Sequence, residues 1–343
     1  MNKKLKRLFH CAIILAVWFT QATAGRTDKA GSAAAAELLI PIGARSIALG
    51  NSPLATVSGI EAMYWNPAGL ARSPKTGVMF SYMRYIADIN VNYFAGSTLL
   101  KNIGSVGISV KSIDVGDIAV TTEDQPDGTG EITSPTFLIV GATFARQISD
   151  RIFVGITSNY IYEKMAKVSA STYSFNLGVQ YTGIGGIEGL SVGAAVKNLG
   201  PSLKYDGTGL LREAGVRDAI RKNSIVKIQA AASDLPSTIE IGLGYSMMFH
   251  SVGELNLTSV FQNNNYSADE YKFGVEYIFN NLLSVRSGIT ISPGSGFSEN
   301  IFGPSFGIGF QTAFNNYNIF VDYAYRSIEF FQGNHVLGIT LEF

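Results

Sequence analysis

Apolar and polar residues alternate one by one along much of the second half of this chain. Tyr173, Phe175, Leu177, Val179 and Tyr181 interleave with Ser174, Asn176, Gly178 and Gln180. Ile239, Ile241, Leu243, Tyr245 and Met247 do the same with Glu240, Gly242, Gly244 and Ser246. The pattern returns from Tyr271 to Tyr277 and from Tyr317 to Arg326. A period of two sends successive side chains to opposite faces, so each run reads as a strand with one apolar and one polar or small face. Extended along the chain, the pattern predicts fourteen strands: 77–85, 91–100, 103–113, 135–146, 151–164, 171–182, 189–198, 237–248, 253–263, 269–279, 282–292, 304–313, 316–326 and 335–343. Each approaches the roughly 9–11 residues that a tilted strand needs to cross a bilayer.

The connections sort by length. Those after the second, fourth, eighth, tenth and twelfth strands are short, whereas 114–134, 199–236 and 293–303, after the third, seventh and eleventh, are long. This parity is the one expected of periplasmic turns and extracellular loops. It predicts an outer-membrane location with the N- and C-termini periplasmic. The chain ends V-L-G-I-T-L-E-F, with Leu337, Ile339, Leu341 and Phe343 on one face. A terminal strand closing on an aromatic carboxylate resembles the last strand of bacterial outer-membrane barrels. The expected fold is all-β and transmembrane: an antiparallel outer-membrane β-barrel of about 14 strands, with an N-terminal segment plugging the lumen.

Composition agrees. Only 15% of residues are charged, against about 25% in soluble proteins. Past the first 24 residues no run of 18 apolar residues occurs, so spanning helices are not expected. A closed barrel pairs every backbone amide without such a run. Residues 1–24 read as a cleaved signal peptide: Lys3, Lys4, Lys6 and Arg7, an apolar stretch Leu8–Phe19, then Ala22-Thr23-Ala24 before Gly25. Its removal takes away the only cysteine, Cys11, and leaves 22 basic against 26 acidic residues. Disulfides and thiolate chemistry are then excluded, and nucleic acid is not an expected partner.

Residues 25–76 carry no strand pattern. Ala30–Ala36 is alanine-rich and is expected to form a short helix with Glu37-Leu38-Leu39. Further on, Met63, Tyr64 and Trp65 precede the turn formers Asn66, Pro67 and Gly69. Such a segment is too short for its own core and needs cover, which places it in the lumen of the barrel formed by 77–343. Here the residues resemble a known family. Asn66-Pro67-Ala68-Gly69-Leu70-Ala71 is similar to the N-P-A signature in the hatch of FadL-type barrels. The resemblance tightens to the PorV/PorQ branch through Gly43-Ala44-Arg45 with Leu49-Gly50, Tyr64-Trp65-Asn66-Pro67-Ala68-Gly69, Thr121-Thr122-Glu123-Asp124 with Gly128-Thr129-Gly130-Glu131, and Asn198-Leu199-Gly200-Pro201. It implies a fourteen-stranded barrel that is a partner or shuttle in type IX-like protein export to the cell surface. The wider FadL-like resemblance implies the alternative, passive transport of small hydrophobic compounds. The partners implied are outer-membrane lipid, with a large secretion barrel and exported proteins, or a small hydrophobic ligand.

Two groups of residues are candidates for function. Arg45, Met63, Tyr64, Trp65, Asn66 and Pro67 belong to the plug, where they line a ligand path or simply fill the lumen. Thr122, Glu123 and Asp124 sit on a structured extracellular loop, and Arg217 and Arg221 on a basic amphipathic stretch of 203–236. That stretch reads either as a partner surface or as a solvated surface helix. The acidic loop with Glu123, Asp124, Asp127 and Glu131 lacks EF-hand spacing; a structured loop is preferred, with calcium as the lesser alternative. No catalytic, cofactor or metal residues are expected. His250 and His335 are the only histidines past the leader, and no G-x-S-x-G elbow is present, so the chain is not read as an enzyme.

Overall fold

The computed structural model describes residues 25, 27–215, 223–249, 253–292 and 301–343. Fourteen strands form one closed antiparallel barrel in sequence order. They are β1 Gly77–Arg84, β2 Asn90–Leu100, β3 Gly104–Asp114, β4 Thr136–Ser149, β5 Ile152–Met165, β6 Val168–Thr182, β7 Leu190–Leu199, β8 Thr238–Phe249, β9 Gly253–Asn264, β10 Glu270–Phe279, β11 Leu283–Ile291, β12 Phe302–Phe314, β13 Tyr317–Ile328 and β14 Asn334–Glu342. Each expected strand is present with its ends moved by three residues or fewer. Closure is made by β14 on β1, in register from Gly77↔Glu342 to Arg84↔His335. Phe343 extends the seam by donating its amide to Thr76 O at 2.8 Å.

The alternation in sequence becomes an alternation of faces. On β6, Tyr173, Phe175, Leu177, Val179 and Tyr181 point outward and are exposed, while Thr172, Ser174, Asn176 and Gln180 are buried inside. The outer wall is therefore apolar for lipid and the inner wall polar. Tight turns gather at one end, such as Asn280-Asn281 between β10 and β11, both left-handed with φ of 49° and 52°. Asparagine tolerates that region, which matches hairpin twist. Longer connections gather at the opposite, loop end. There Ile118–Ala119 pairs with Ile132–Thr133, Leu203–Lys204 with Ala232–Ser233, and Leu211–Gly215 with Asn223–Lys227. The last hairpin corrects the expectation of a surface helix: Arg212 lies in its first strand. Arg217 and Arg221 lie outside the described residues.

The stretch from Ala44 to Ala71 packs on the inner wall of the barrel. The helix α1, Ala44–Ala48, packs on β11–β14; a 3-10 turn at Pro53–Ala55 packs on β7–β9; another at Pro67–Ala71 follows helix α2, Ala62–Trp65, and packs on β3–β6. A segment touching walls on opposite sides of a closed barrel must lie within it. The alanine-rich stretch forms only a 3-10 turn at Ala36–Leu39, after Ala35 in the left-handed region at φ 52°. Helices this short have little stability of their own, and here Ala34 instead donates its amide to Asp234 O at 3.0 Å.

Gly25, the first described residue, and Phe343 lie at opposite rims. Phe343 is at the turn end beside Thr76. Gly25 is at the loop end, where its amide donates to Asp269 Oδ2 at 3.0 Å. The parity of strands located only where β1 begins and β14 ends.

Removing residues 336–343 leaves β1 and β13 with unpaired edges. The truncated protein should lose the heat-dependent gel shift that marks a closed barrel; an unchanged shift would mean that closure does not depend on β14.

Candidate functional site

The site grows from one dipeptide. Asn66 has a fully buried side chain. Its Oδ1 accepts from Ala68 N at 3.3 Å, capping the Pro67–Ala71 turn, while Nδ2 donates to Leu54 O at 3.0 Å and Val179 O at 3.2 Å. One side chain thus holds two parts of the inner segment to each other and to β6. Pro67 follows at the first position of the turn, where its fixed φ suits the geometry. The wall gives way at this point: a Cβ on Gly178 would lie 2.0 Å from Asn66 Oδ1, and one on Gly155 would lie 2.4 Å from the Pro67 carbonyl carbon. Gln180 supports the Pro53–Ala55 turn instead, donating to Leu54 O and Val57 O, both at 3.0 Å.

Met63, Tyr64 and Trp65 occupy the next layer. Met63 is buried against β3, beside Gly107. Trp65 donates Nε1–H to Ile42 O at 3.1 Å, and the Tyr64 hydroxyl reaches Ile40 O at 2.9 Å and Leu38 O at 3.0 Å. The rings meet edge to face with centroids 5.0 Å apart. Lys111 and Lys197, from β3 and β7, lie 5.0 and 5.2 Å from the Tyr64 ring centre. All three residues border a cavity of about 430 Å³ on the loop side of the segment, together with Tyr85, Phe302 and Arg326.

Arg45 is the charged anchor. Its Nε and Nη2 donate to Glu276 Oε1 and Oε2 at 3.0 and 2.8 Å, a two-pronged pair. Glu276, on β10, also accepts from Arg286 Nε at 2.7 Å, and Arg286 Nη1 reaches Asp322 Oδ1 at 2.5 Å. Coulombic attraction to Glu276 raises the Arg45 pKa further. Glu61 accepts from Ser46 N at 3.1 Å at the start of α1, and burial raises its carboxyl above the usual range. Glu276, Arg286 and Asp322 were not singled out in the sequence. The available signal was a carboxylate at an inward position of an apolar-alternating strand.

A second charged group sits nearer the loop end. Lys111 Nζ donates to Glu37 O at 2.7 Å and Ile40 O at 2.5 Å. The Glu37 carboxyl lies beside Glu163 of β5, whose Oε2 accepts from the Tyr205 hydroxyl. Burial first, and the Glu163 charge second, push Glu37 up to about 8.

Thr122, Glu123 and Asp124 are exposed on a separate, internally bonded loop. Gln125 N donates to Thr122 Oγ1 and Thr122 O at 3.2 Å each, and Val120 N donates to Glu131 O at 2.9 Å. No hydrogen bond or ion pair among the described residues joins this loop to the inner set. Among the described residues no group of three or more His, Cys, Asp or Glu could hold a metal ion. His335 sits at the start of β14, with Nδ1 at 2.7 Å from the Tyr323 hydroxyl; His250 lies outside the described residues.

Replacing Arg45 with alanine leaves Glu276 buried with one counter-charge fewer. It should cost about 3 kcal/mol and expose residues 45–76 to protease before the barrel itself unfolds; unchanged protection would mean that the pair does not hold the segment. Glu37 makes a pH prediction. The folded protein keeps a proton that the unfolded chain releases near the ordinary glutamate value of 4.5. Its contribution to stability is therefore full at low pH and falls as pH rises towards about 8. Glu37→Gln removes this titration, so thermal unfolding of the variant should lose less stability than the natural protein between about pH 5 and about pH 9. Identical pH profiles would show that Glu37 titrates normally.

The fold is that of known outer-membrane channels. The CymD monoaromatic hydrocarbon channel superposes with a TM-score of 0.54 at 12% identity, covering 89% of this chain and 97% of that one. The Pseudomonas putida toluene transporter TodX gives 0.53 at 10% identity, covering 87% and 96%. A Pseudomonas aeruginosa FadL homologue gives 0.51 at 11%, covering 89% and 98%. No curated protein sequence matches the chain. The family model for type IX secretion system protein PorV matches residues 23–219, which include the inner segment from Arg45 to Pro67 and the loop of Thr122 to Asp124. With more than half of its length matched, this outer-membrane β-barrel belongs to the PorV family.

Proposed function

We propose that this barrel is a non-enzymatic partner or shuttle in type IX-like export of proteins to the cell surface. The observation that carries the reading is the PorV family match across residues 23–219, which spans both the lumenal segment and the long connection between β3 and β4. Residues 1–24 are a signal peptide removed after Ala24, 25–76 a plug, and 77–343 the transmembrane barrel. The long connections face the cell exterior, and the tight turns and C-terminus face the periplasm. Thr122, Glu123 and Asp124, on an exposed loop braced by its own hydrogen bonds, meet the partner barrel or the exported protein. Arg217 and Arg221, in the sequence between β7 and β8, supply basic contacts to the same partner.

A second reading is passive transport of small hydrophobic compounds. The cavity beside Met63, Tyr64 and Trp65 and the likeness to hydrocarbon channels favour it. The anchored segment weighs against it, because Arg45, Asn66 and Gln180 fix backbone across the lumen.

Affinity purification from native outer membranes in mild detergent, with mass spectrometry of proteins and lipids, separates the two. Recovery with a much larger barrel and exported proteins is the expected outcome, and it should fall when Thr122, Glu123 and Asp124 are all replaced by alanine. Recovery alone, with a stoichiometric apolar compound, would overturn the export role in favour of transport.

A further inference from the structure

Two buried carboxyl groups meet near the loop end of the lumen. Glu37, in the 3-10 turn Ala36–Leu39, is 7% exposed, and Glu163, on the inner face of β5, is 3% exposed. The two side chains stand within hydrogen-bond reach of each other. Glu37 Oε1 and Glu163 Oε1 are both buried, and neither meets a hydrogen-bond donor among the described residues. The donors beside them are committed to other atoms. The Tyr205 hydroxyl donates to Glu163 Oε2, and Lys111 Nζ donates to the backbone carbonyls of Glu37 and Ile40, at 2.7 and 2.5 Å.

An ionised carboxyl can only accept hydrogen bonds, whereas a protonated one also donates. Two ionised groups in contact would repel each other where water is scarce. The charges that face Glu37 are Glu163 from β5 and Lys111 from β3; Tyr205, from the connection after β7, adds a hydroxyl on Glu163. With Lys111 charged, the two carboxylates exceed their surroundings by one negative charge, and one proton removes the excess. The pair also has something to hold. Ala34–Pro41 is an arm of the inner segment, with Ala35 and Leu38 packed against Ile139, Ile161 and Leu203. Ala36, Leu38 and Ile40 form part of the wall of the lumenal cavity.

We propose that Glu37 and Glu163 share one proton, and that this carboxyl–carboxylate bond is a pH-sensitive latch holding the arm Ala34–Pro41 against the lumenal cavity. Loss of the proton to solvent turns one O–H···O bond into two facing anions. The arm is then released from β5, and the cavity opens beside it. Such a pair takes up and loses protons as a unit. The sign follows from Glu37, which burial first and the Glu163 charge second push up to about 8: the latch is closed below that pH and opens as pH rises through it. The ladder of the barrel takes no part, so the opening is local and separate from unfolding of the wall. It does not depend on the export role, because a latch inside the lumen and a partner surface on the outer loops stand or fall separately.

The natural fluorescence of the protein reports on the arm. The chain has two tryptophans; Trp18 is in the leader, and Trp65 is buried, borders the cavity and bonds to Ile42 O just past the arm. Protein purified from the outer membrane in detergent is titrated with acrylamide, a neutral quencher, at steps from about pH 6 to about pH 9.5. Quenching of Trp65 should be weak at neutral pH and rise severalfold with a midpoint at about 8, with the heat-dependent gel shift intact throughout. Glu37→Gln and Glu163→Gln each put a fixed amide donor where the proton was, and both should stay weakly quenched over the whole range. Tyr205→Phe removes a donor that favours ionised Glu163, and should move the midpoint to higher pH. A flat profile in the natural protein, or the same rise in both glutamine variants, would overturn the proposal. So would a midpoint that moves on addition of calcium, since a cation and not a proton would then lie between the carboxylates. The profile of the natural protein needs no variant, and the two glutamine variants approach the pair from different elements, so the test stands if one of them does not assemble.

Discussion

An amide without a partner costs several kcal/mol in the hydrocarbon of a membrane, and the pairing of β14 with β1 is what spares this chain that cost. Once the ladder is closed, the period of two assigns every side chain. Tyr173, Leu177 and Val179 go to lipid; Ser174, Asn176 and Gln180 go inside. A barrel of fourteen strands encloses a wide and polar interior, and that interior decides what can fill it. An apolar plug would strand the inner hydroxyls, amides and charges. The segment that is found there answers polar wall with polar backbone: Gln180 and Lys111 bond to its carbonyls, Asn66 returns a bond to the β6 carbonyl of Val179, and Arg45 meets Glu276.

The barrel was legible because its signal is local and repeated. Each strand announces itself within ten residues, and errors at the ends do not propagate. Trp65, Asn66 and Pro67 were legible as a turn that needed cover. Their partners were not, because Arg45 and Glu276 are 231 residues apart in sequence and an inward glutamate resembles any other polar inward residue until the strands are assembled. The stretch after Leu203 was misread for a related reason. Charged and apolar residues from Leu210 to Lys222 suit a helical face, but the cross-strand partners Ile225 and Val226 lie beyond that window, and β-branched residues favour a ladder.

The polar interior also has a weak point. Where charges on the wall and the segment match, as around Glu276, the lumen is closed. Around Arg326 it is open, with a cavity of about 430 Å³. The same strand β13 contributes to both places through Asp322 and Arg326, four residues apart on one face.

The placement of Gly25 at the loop rim bears on how the molecule is braced. Between Gly25 and Thr76 the polypeptide runs from the loop rim to the turn rim, with Gly25 at one mouth and the attachment to β1 at the other. Tyr64, Trp65 and the Arg45–Glu276 clasp tie that path to itself and to the wall. The segment therefore joins the two rims from within, an inner strut tied to the wall at both mouths and along its length.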